Sequence, residues 1–346
     1  MSWMGKVAVS AFASAVIVSG AAALTSAYAQ EVKGPKVTWK FNVWGKKRAF
    51  TADVEAWSKH VAAKTGGNFK IKIYYGDQLG GKKQNLDNLK AGVFEAAKVC
   101  WAYHAGKNQS MTVLNLPFLP IKNFDMQRRV AEAIHKHPIS AGEVKKKWNI
   151  MAFSSSNLPQ YEFLGRGRAP EKLADYKGMT VRALGGIAGA MRRLGASIAT
   201  MTATEVYQAL DRGAADAVSF PSTYAHSAYK IDEVATWFTS NMSPGTNDCP
   251  NVIRLGAWNK LPEQYKKLMY EAREIGYAAL KAAYSAKDKI NLPKWRKYMK
   301  EIKYSDSELA NFRKVGGKPV YDAWIAKHKE KFDAKAMLDA VLAAAK

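Results

Sequence analysis

Between residues 38 and 103 the sequence switches four times between two periodicities, and few architectures accommodate that pattern. Thr38-Trp39-Lys40-Phe41-Asn42-Val43-Trp44 alternates with a period of two, as a strand does, whereas Phe50, Val54, Trp57 and Val61 recur at helical spacing before Gly66-Gly67 ends the helix. Phe69-Lys70-Ile71-Lys72-Ile73-Tyr74-Tyr75 is a second strand with one apolar face. A short helix around Leu86 and Leu89 then leads to a third strand, Ala97-Lys98-Val99-Cys100-Trp101-Ala102-Tyr103. This order implies an α/β fold with a mostly parallel sheet flanked by helices, and such sheets bind ligands beyond the carboxyl ends of their strands. The site is therefore expected near Trp44, Gly76-Asp77-Gln78 and Tyr103.

A chain of 346 residues exceeds the usual size of one compact core, so two lobes are expected. Residues 1–29 carry Lys6 as their only charge, an apolar stretch from Val7 to Leu24, and Ala27-Tyr28-Ala29 before Gln30, the layout of a secretory signal peptide cleaved after Ala29. No later stretch is apolar enough to span a bilayer, which predicts a soluble, exported protein. The formal net charge is +24. The lysines are spread along the chain, which favours a solvated cationic surface over a dedicated partner site; the alternative is a field that concentrates anionic solutes. Nucleic acid is not expected as a partner, since there is no zinc-finger spacing, arginine-rich arm or RNA-recognition motif.

The strand-like stretch Met179-Thr180-Val181 closes on Arg182. A guanidinium there offers a planar fork of donors that pairs with a carboxylate in two-point geometry and stays charged at any relevant pH, so an organic anion is its natural guest. About twenty residues later come Thr204-Glu205-Val206-Tyr207-Gln208-Ala209-Leu210-Asp211-Arg212-Gly213 and Ala215-Asp216-Ala217-Val218-Ser219-Phe220-Pro221, with Thr202-Ala203-Thr204-Glu205 reading as a capping box.

Lys177-Gly178-Met179-Thr180-Val181-Arg182, Leu194-Gly195-Ala196-Ser197, Glu205-Val206-Tyr207 with Ala209-Leu210 and Gly213, Gly76-Asp77-Gln78-Leu79-Gly80, Leu116-Pro117-Phe118-Leu119 and Ala257-Trp258-Asn259-Lys260-Leu261-Pro262 stand in an order that resembles the DctP-type solute receptors of tripartite ATP-independent periplasmic (TRAP) transporters. The resemblance spans about residues 37 to 330. It implies a two-lobed, type II-like periplasmic binding protein of the Venus-flytrap kind, delivering an organic acid to a membrane permease pair (DctQ/DctM-like) driven by an ion gradient. It also implies that Arg182 clamps the ligand carboxylate. The expected division is 30–158 with 246–286 in lobe I and 159–245 with 287–346 in lobe II, joined by a long helix from Glu263 to about Ile290 of roughly 40 Å at 1.5 Å per residue.

Sialic acid receptors of this family add a second arginine twenty residues upstream and an asparagine before the proline; here those positions hold Glu162 and Phe220. A phenyl ring cannot replace an amide's hydrogen bonds, which disfavours a heavily hydroxylated sugar acid. An aromatic residue at the position of Phe220 is what the resemblance assigns to the 2-oxo acid subgroup. With Trp44, Cys100 and Tyr103 it suggests a monocarboxylate with a flat or apolar body. Tyr161 and Gln78 complete the candidate contacts.

An enzyme is not expected. The six histidines show no His-Glu-x-x-His pattern or Cys/His cluster of metal-ligand spacing, and there is no Gly-x-Ser-x-Gly elbow. His135 and His137 read as a solvated helix end. Gly185-Gly186-Ile187-Ala188-Gly189 follows a strand and opens a helix, but its spacing is wrong for a dinucleotide loop; its amides could instead assist Arg182 with the anion. No cofactor is expected, and whether a metal ion shares the pocket stays open, as does the choice between monomer and dimer. Export permits a bond between Cys100 and Cys249, which the sequence leaves open because it gives no Cα separation.

Overall fold

The computed structural model describes residues 31–346, so the expected signal peptide lies outside the described residues. Eleven strands form two sheets, one per lobe. Lobe I holds β1 (Val37–Asn42), β2 (Phe69–Tyr74), β3 (Ala96–Lys98), β4 (Ile150–Ser154) and β10 (Asn251–Arg254) in the order β2-β1-β3-β10-β4. Lobe II holds β5 (Tyr161–Gly165), β6 (Thr180–Arg182), β7 (Ser197–Ala199), β8 (Ala217–Pro221), β9 (Trp237–Thr239) and β11 (Lys300–Ile302) in the order β11-β9-β5-β8-β6-β7.

Each sheet is mostly parallel, as expected, with one strand reversed, and the reason for the reversal lies in how the chain travels. β1 is parallel to β2 and β3, and β6 to β7 and β8, as helical crossovers require. β10 is antiparallel to β3 and β4, and β5 to β8 and β9. These two strands are the ones that enter from the other lobe: the chain leaves β4 at its carboxyl end, crosses, and starts β5 at the cleft; it leaves β9 in the same way and starts β10 at the cleft. A strand that begins where its neighbours end runs against them. The carboxyl ends of β1, β3, β4, β6 and β8 and the amino ends of β5 and β10 therefore converge on one region between the lobes.

The third crossing is a helix of 33 residues, Glu263–Trp295, about 50 Å long at 1.5 Å per residue. It runs past Ile290 to include Pro293, which sits in its last turn. Against lobe I it packs on the helix Ala52–Lys64, where Gly276 is required: a β-carbon there would stand 2.9 Å from Trp57 Cδ1. Its middle pins the first crossing, Tyr284 Oη donating to the Ser156 carbonyl at 2.9 Å and Tyr277 Oη accepting from Ser155 N–H at 3.1 Å. Its end reaches lobe II, where Asp288 accepts from Thr223 and Trp295 Nε1 donates to Asp232. Among the described residues no helix is long and apolar enough to cross a membrane.

The C-terminal segment does not follow the expected division. β11 and the helix Asp306–Gly316 lie with lobe II, but Trp324, Met337, Leu338 and Val341 join the lobe I core around Leu114 and Val130. The helix Ala334–Ala344 carries an apolar stripe that the lobe I helix Phe124–Lys136 covers. Burying that stripe outweighs sequence proximity to β11.

Candidate functional site

The convergent strand ends enclose a cavity with about 370 Å³ of empty space including its mouth. Lobe I supplies Trp44 and Arg48 after β1, Phe50, Cys100 and Tyr103 after β3, and Cys249 before β10; lobe II supplies Tyr161 from β5, Arg182 from β6, Phe220 from β8, and Tyr224 and Tyr229 from the turn and helix beyond it. The structure thus brings together Arg182, Phe220, Tyr103, Trp44, Cys100 and Tyr161. Gln78 is exposed and outside this lining. Its strand, β2, is the edge of the sheet, so the turn after it lies at the rim. Tyr103 belongs not to the third strand, which ends at Lys98, but to a 3-10 turn, Trp101–His104.

Arg182 is 1 % exposed and fixed from behind. Its Nε and Nη2 donate to the Met201 carbonyl at 3.2 and 2.8 Å, and its Nη1 to the Ser219 carbonyl at 2.9 Å. Of a guanidinium's five N–H groups this uses three and leaves one on each Nη, the pair that a carboxylate can take together. The guanidinium lies over the Phe220 ring, its carbon 4.7 Å from the centroid, so a cationic face and an apolar face present themselves side by side. No acidic side chain lies within 4 Å of Arg182 among the described residues.

The second guanidinium, Arg48, was not anticipated. It donates to the Trp44 and Lys46 carbonyls and sits among the Trp44, Phe50 and Tyr229 rings at 5.8, 4.7 and 5.5 Å. The strand-end rule that singles out Trp44 also reaches Arg48 four residues on. Trp44 meets Phe50 and Tyr103 at 5.1 and 5.9 Å, and Phe220 stacks on Tyr229 at 5.4 Å, so the walls are aromatic on both sides. Burial pushes the Tyr161, Tyr224 and Tyr229 phenols up, keeping them neutral hydroxyls. The buried Tyr229 Oη has no hydrogen-bond partner among the described residues.

Cys100 and Cys249 are disulfide-bonded across this cavity wall. The β3–β10 register explains why they meet. Lys98 faces Asn251, Val99 N–H donates to the Pro250 carbonyl and Trp101 N–H to the Asp248 carbonyl, which sets Cys100 opposite Cys249 at a non-hydrogen-bonded position, where Cα atoms approach most closely. Beneath lies a buried ion pair, Lys98 Nζ to Asp53 Oδ2 at 2.8 Å, completed by Ser156 and Asn251. His135 is no solvated helix end: it is 6 % exposed, and its Nε2 meets Asp248 Oδ2 at 2.7 Å, a carboxylate that also accepts from Trp101 and Ser155.

The lobes touch across the cleft. Ala203 N–H donates to Tyr103 Oη at 3.1 Å and Lys82 Nζ to Thr204 Oγ1 at 2.7 Å. The glycine run at 185–189 serves this contact rather than the Arg182 anion: a β-carbon on Gly186 would stand 2.8 Å from Leu116 Cα and 2.5 Å from the Asn115 carbonyl. Glu162 is turned away from the cavity and buried, accepting from Thr239 and from Ser243 N–H and Oγ.

A two-lobed receptor with a carboxylate fork at its strand ends is the form that the sequence motifs imply, and residues 42–328 match the model of bacterial extracellular solute-binding protein, family 7, DctP. The chain belongs to this family. A relative from Nostoc sp. named monocarboxylate 2-oxoacid-binding periplasmic protein is 26% identical over 69% of this chain and 65% of its own length, so the match spans just under two thirds of that relative. Two solved structures of TRAP periplasmic solute-binding proteins share the fold. One from Desulfovibrio salexigens, with bound orotic acid, has a TM-score of 0.77 at 18% identity and covers 90% of this chain and 99% of its own. One from Shewanella oneidensis, with bound succinate, has a TM-score of 0.73 at 20% identity and covers 90% and 100%. Family and fold are those of transport receptors, not enzymes.

Proposed function

We propose that this protein is the periplasmic receptor of a TRAP transporter and captures a monocarboxylate with a 2-oxo, apolar or aromatic body for delivery to membrane permease subunits. The observation that carries the reading is Arg182, held rigidly at the lobe interface with an N–H on each Nη uncommitted and Phe220 under its face. The carboxylate takes the fork, the aromatic walls cover the body, and the Tyr229 hydroxyl, which has no partner of its own among the described residues, donates to a 2-oxo oxygen. Closure follows because a guest that touches both lobes binds the shut form better than the open one, and only that difference moves the equilibrium. The Nostoc relative's name supports the 2-oxo acid reading and the orotate-bound structure a flat monocarboxylate.

A second reading is a dicarboxylate, favoured by Arg48, which lines the same cavity as Arg182 from the opposite lobe, and by the succinate-bound structure. A thermal-shift screen of 2-oxo acids, aromatic acids, dicarboxylates and sugar acids separates the two, since a ligand at a hundred times its dissociation constant stabilises by about 2.7 kcal/mol. Stabilisation by sugar acids alone would reject both readings.

A further inference from the structure

A second recess opens between the lobes beyond the Asn115–Gly186 contact and shares no lining residue with the ligand cavity. It holds about 770 Å³ of empty space including its mouth. Asn115, Trp324, Lys327 and His328 line it from the lobe I side, and Gly185, Gly186 and Arg192 from lobe II. No carboxylate is among the lining residues. Arg192 and Lys327 stand exposed at the mouth, and neither has an acidic partner within 4 Å among the described residues.

Two buried polar atoms are left without partners at this place. Asn115 is 1 % exposed and His328 is 4 % exposed; Asn115 Nδ2 and His328 Nδ1 have no hydrogen-bond partner among the described residues. A buried donor left unmatched costs about 1–3 kcal/mol, so an occupant that accepts from it recovers that cost. The helix Gly185–Arg193 starts here, its first two residues lining the recess, and the first N–H groups of a helix have no partner within it.

We propose that this recess is a second anion site, which takes a small oxyanion such as phosphate or a short carboxylate and thereby holds the lobes shut. Its groups come from both lobes, so an anion that spans them binds the closed arrangement better than the open one. By reciprocity it raises affinity for the solute in the main cavity, and the solute raises affinity for it.

The test is calorimetric titration of the mature protein with inorganic phosphate, and separately with acetate, at fixed ionic strength against chloride. Saturable binding is expected for at least one of the two. Arg192→Glu and Lys327→Glu, both at exposed positions, should each weaken it by about tenfold or more, equivalent to ~1.4 kcal/mol. Arg182→Ala, which cripples the main cavity, should leave it within about twofold, well under 1 kcal/mol. Binding that disappears in Arg182→Ala yet survives Arg192→Glu would assign the anion to the main cavity and overturn the proposal, as would no saturable binding of either anion by the wild-type protein. Neither result touches the reading of the main cavity itself.

Discussion

Replacing Arg182 by lysine separates charge from geometry at the point on which the receptor reading turns. Lysine keeps the positive charge but is a point charge on a flexible stem and cannot offer two parallel N–H groups. In the wild type three of the five N–H groups are committed to the Met201 and Ser219 carbonyls, so the guest's share is the remaining two. Losing one of two charge-assisted hydrogen bonds costs about 1.5–3 kcal/mol, or ~10–150-fold in dissociation constant. Arg182→Ala removes the charge as well and should cost about 2–5 kcal/mol of binding. It also leaves the two carbonyls unmatched at ~1–3 kcal/mol each, so urea unfolding must accompany the calorimetry. The assay is isothermal titration with whichever acid the thermal-shift screen selects. A folded Lys variant that binds this acid as tightly as the wild type would refute the two-point clamp.

Other substitutions test the surroundings. Arg48→Met keeps the packing against Trp44 and Phe50 but removes the charge; a dicarboxylate guest should then weaken by at least ~1.4 kcal/mol while a monocarboxylate changes little, and the reverse order in calorimetry would exclude a role for Arg48 in recognising a second acid group. Burial holds the His226 imidazole near 3 against 6.5 for the free ring, so between those values the folded state binds fewer protons than the unfolded chain. Stability therefore rises with pH through that window and is lost as pH falls from 6.5 toward 3, by at most ~1.4 kcal/mol per pH unit for one group; His226→Gln should flatten the slope in urea unfolding. Lys98→Met strands the buried Asp53 carboxylate and should cost about 3–5 kcal/mol, much of it regained in Asp53→Asn with Lys98→Met; equal stability of single and double variants would contradict this. Replacing Cys100 and Cys249 together by serine should lower unfolding stability by about 2–5 kcal/mol, and non-reducing mass spectrometry should show the wild type two hydrogens lighter than its reduced form.

Local signals carried much of the site into view. Strand ends are readable from a change of periodicity, and in a parallel arrangement they point at the ligand, which is how Trp44 and Arg182 stand out; Phe220 comes from the family resemblance. What stayed hidden depended on neighbours far along the chain. Gln78 satisfies the same strand-end rule, yet only the sheet order shows that β2 is an edge strand. His135 sits where a helix normally frays into water, and its partner Asp248 is 113 residues away on the segment that crosses between lobes. The mixed sheets have the same origin: nothing within β5 or β10 announces direction, because direction is set by where the preceding strand left off. The glycines at 185 and 186 read as amides for the Arg182 anion because flexibility and close approach share one residue type; the Asn115 and Leu116 backbone across the cleft decides between them.

Of the four stretches of chain that join the lobes, three are stitched to one another: Ser155 Oγ to Asp248, Ser156 Oγ to the Cys249 carbonyl, and both serines to tyrosines of the long helix. Parallel straps fastened along their length resist twisting but still flex across their common width, as a strip of leather does. The two halves should therefore swing like the covers of a book around that spine. Solute then enters and leaves along the fore-edge.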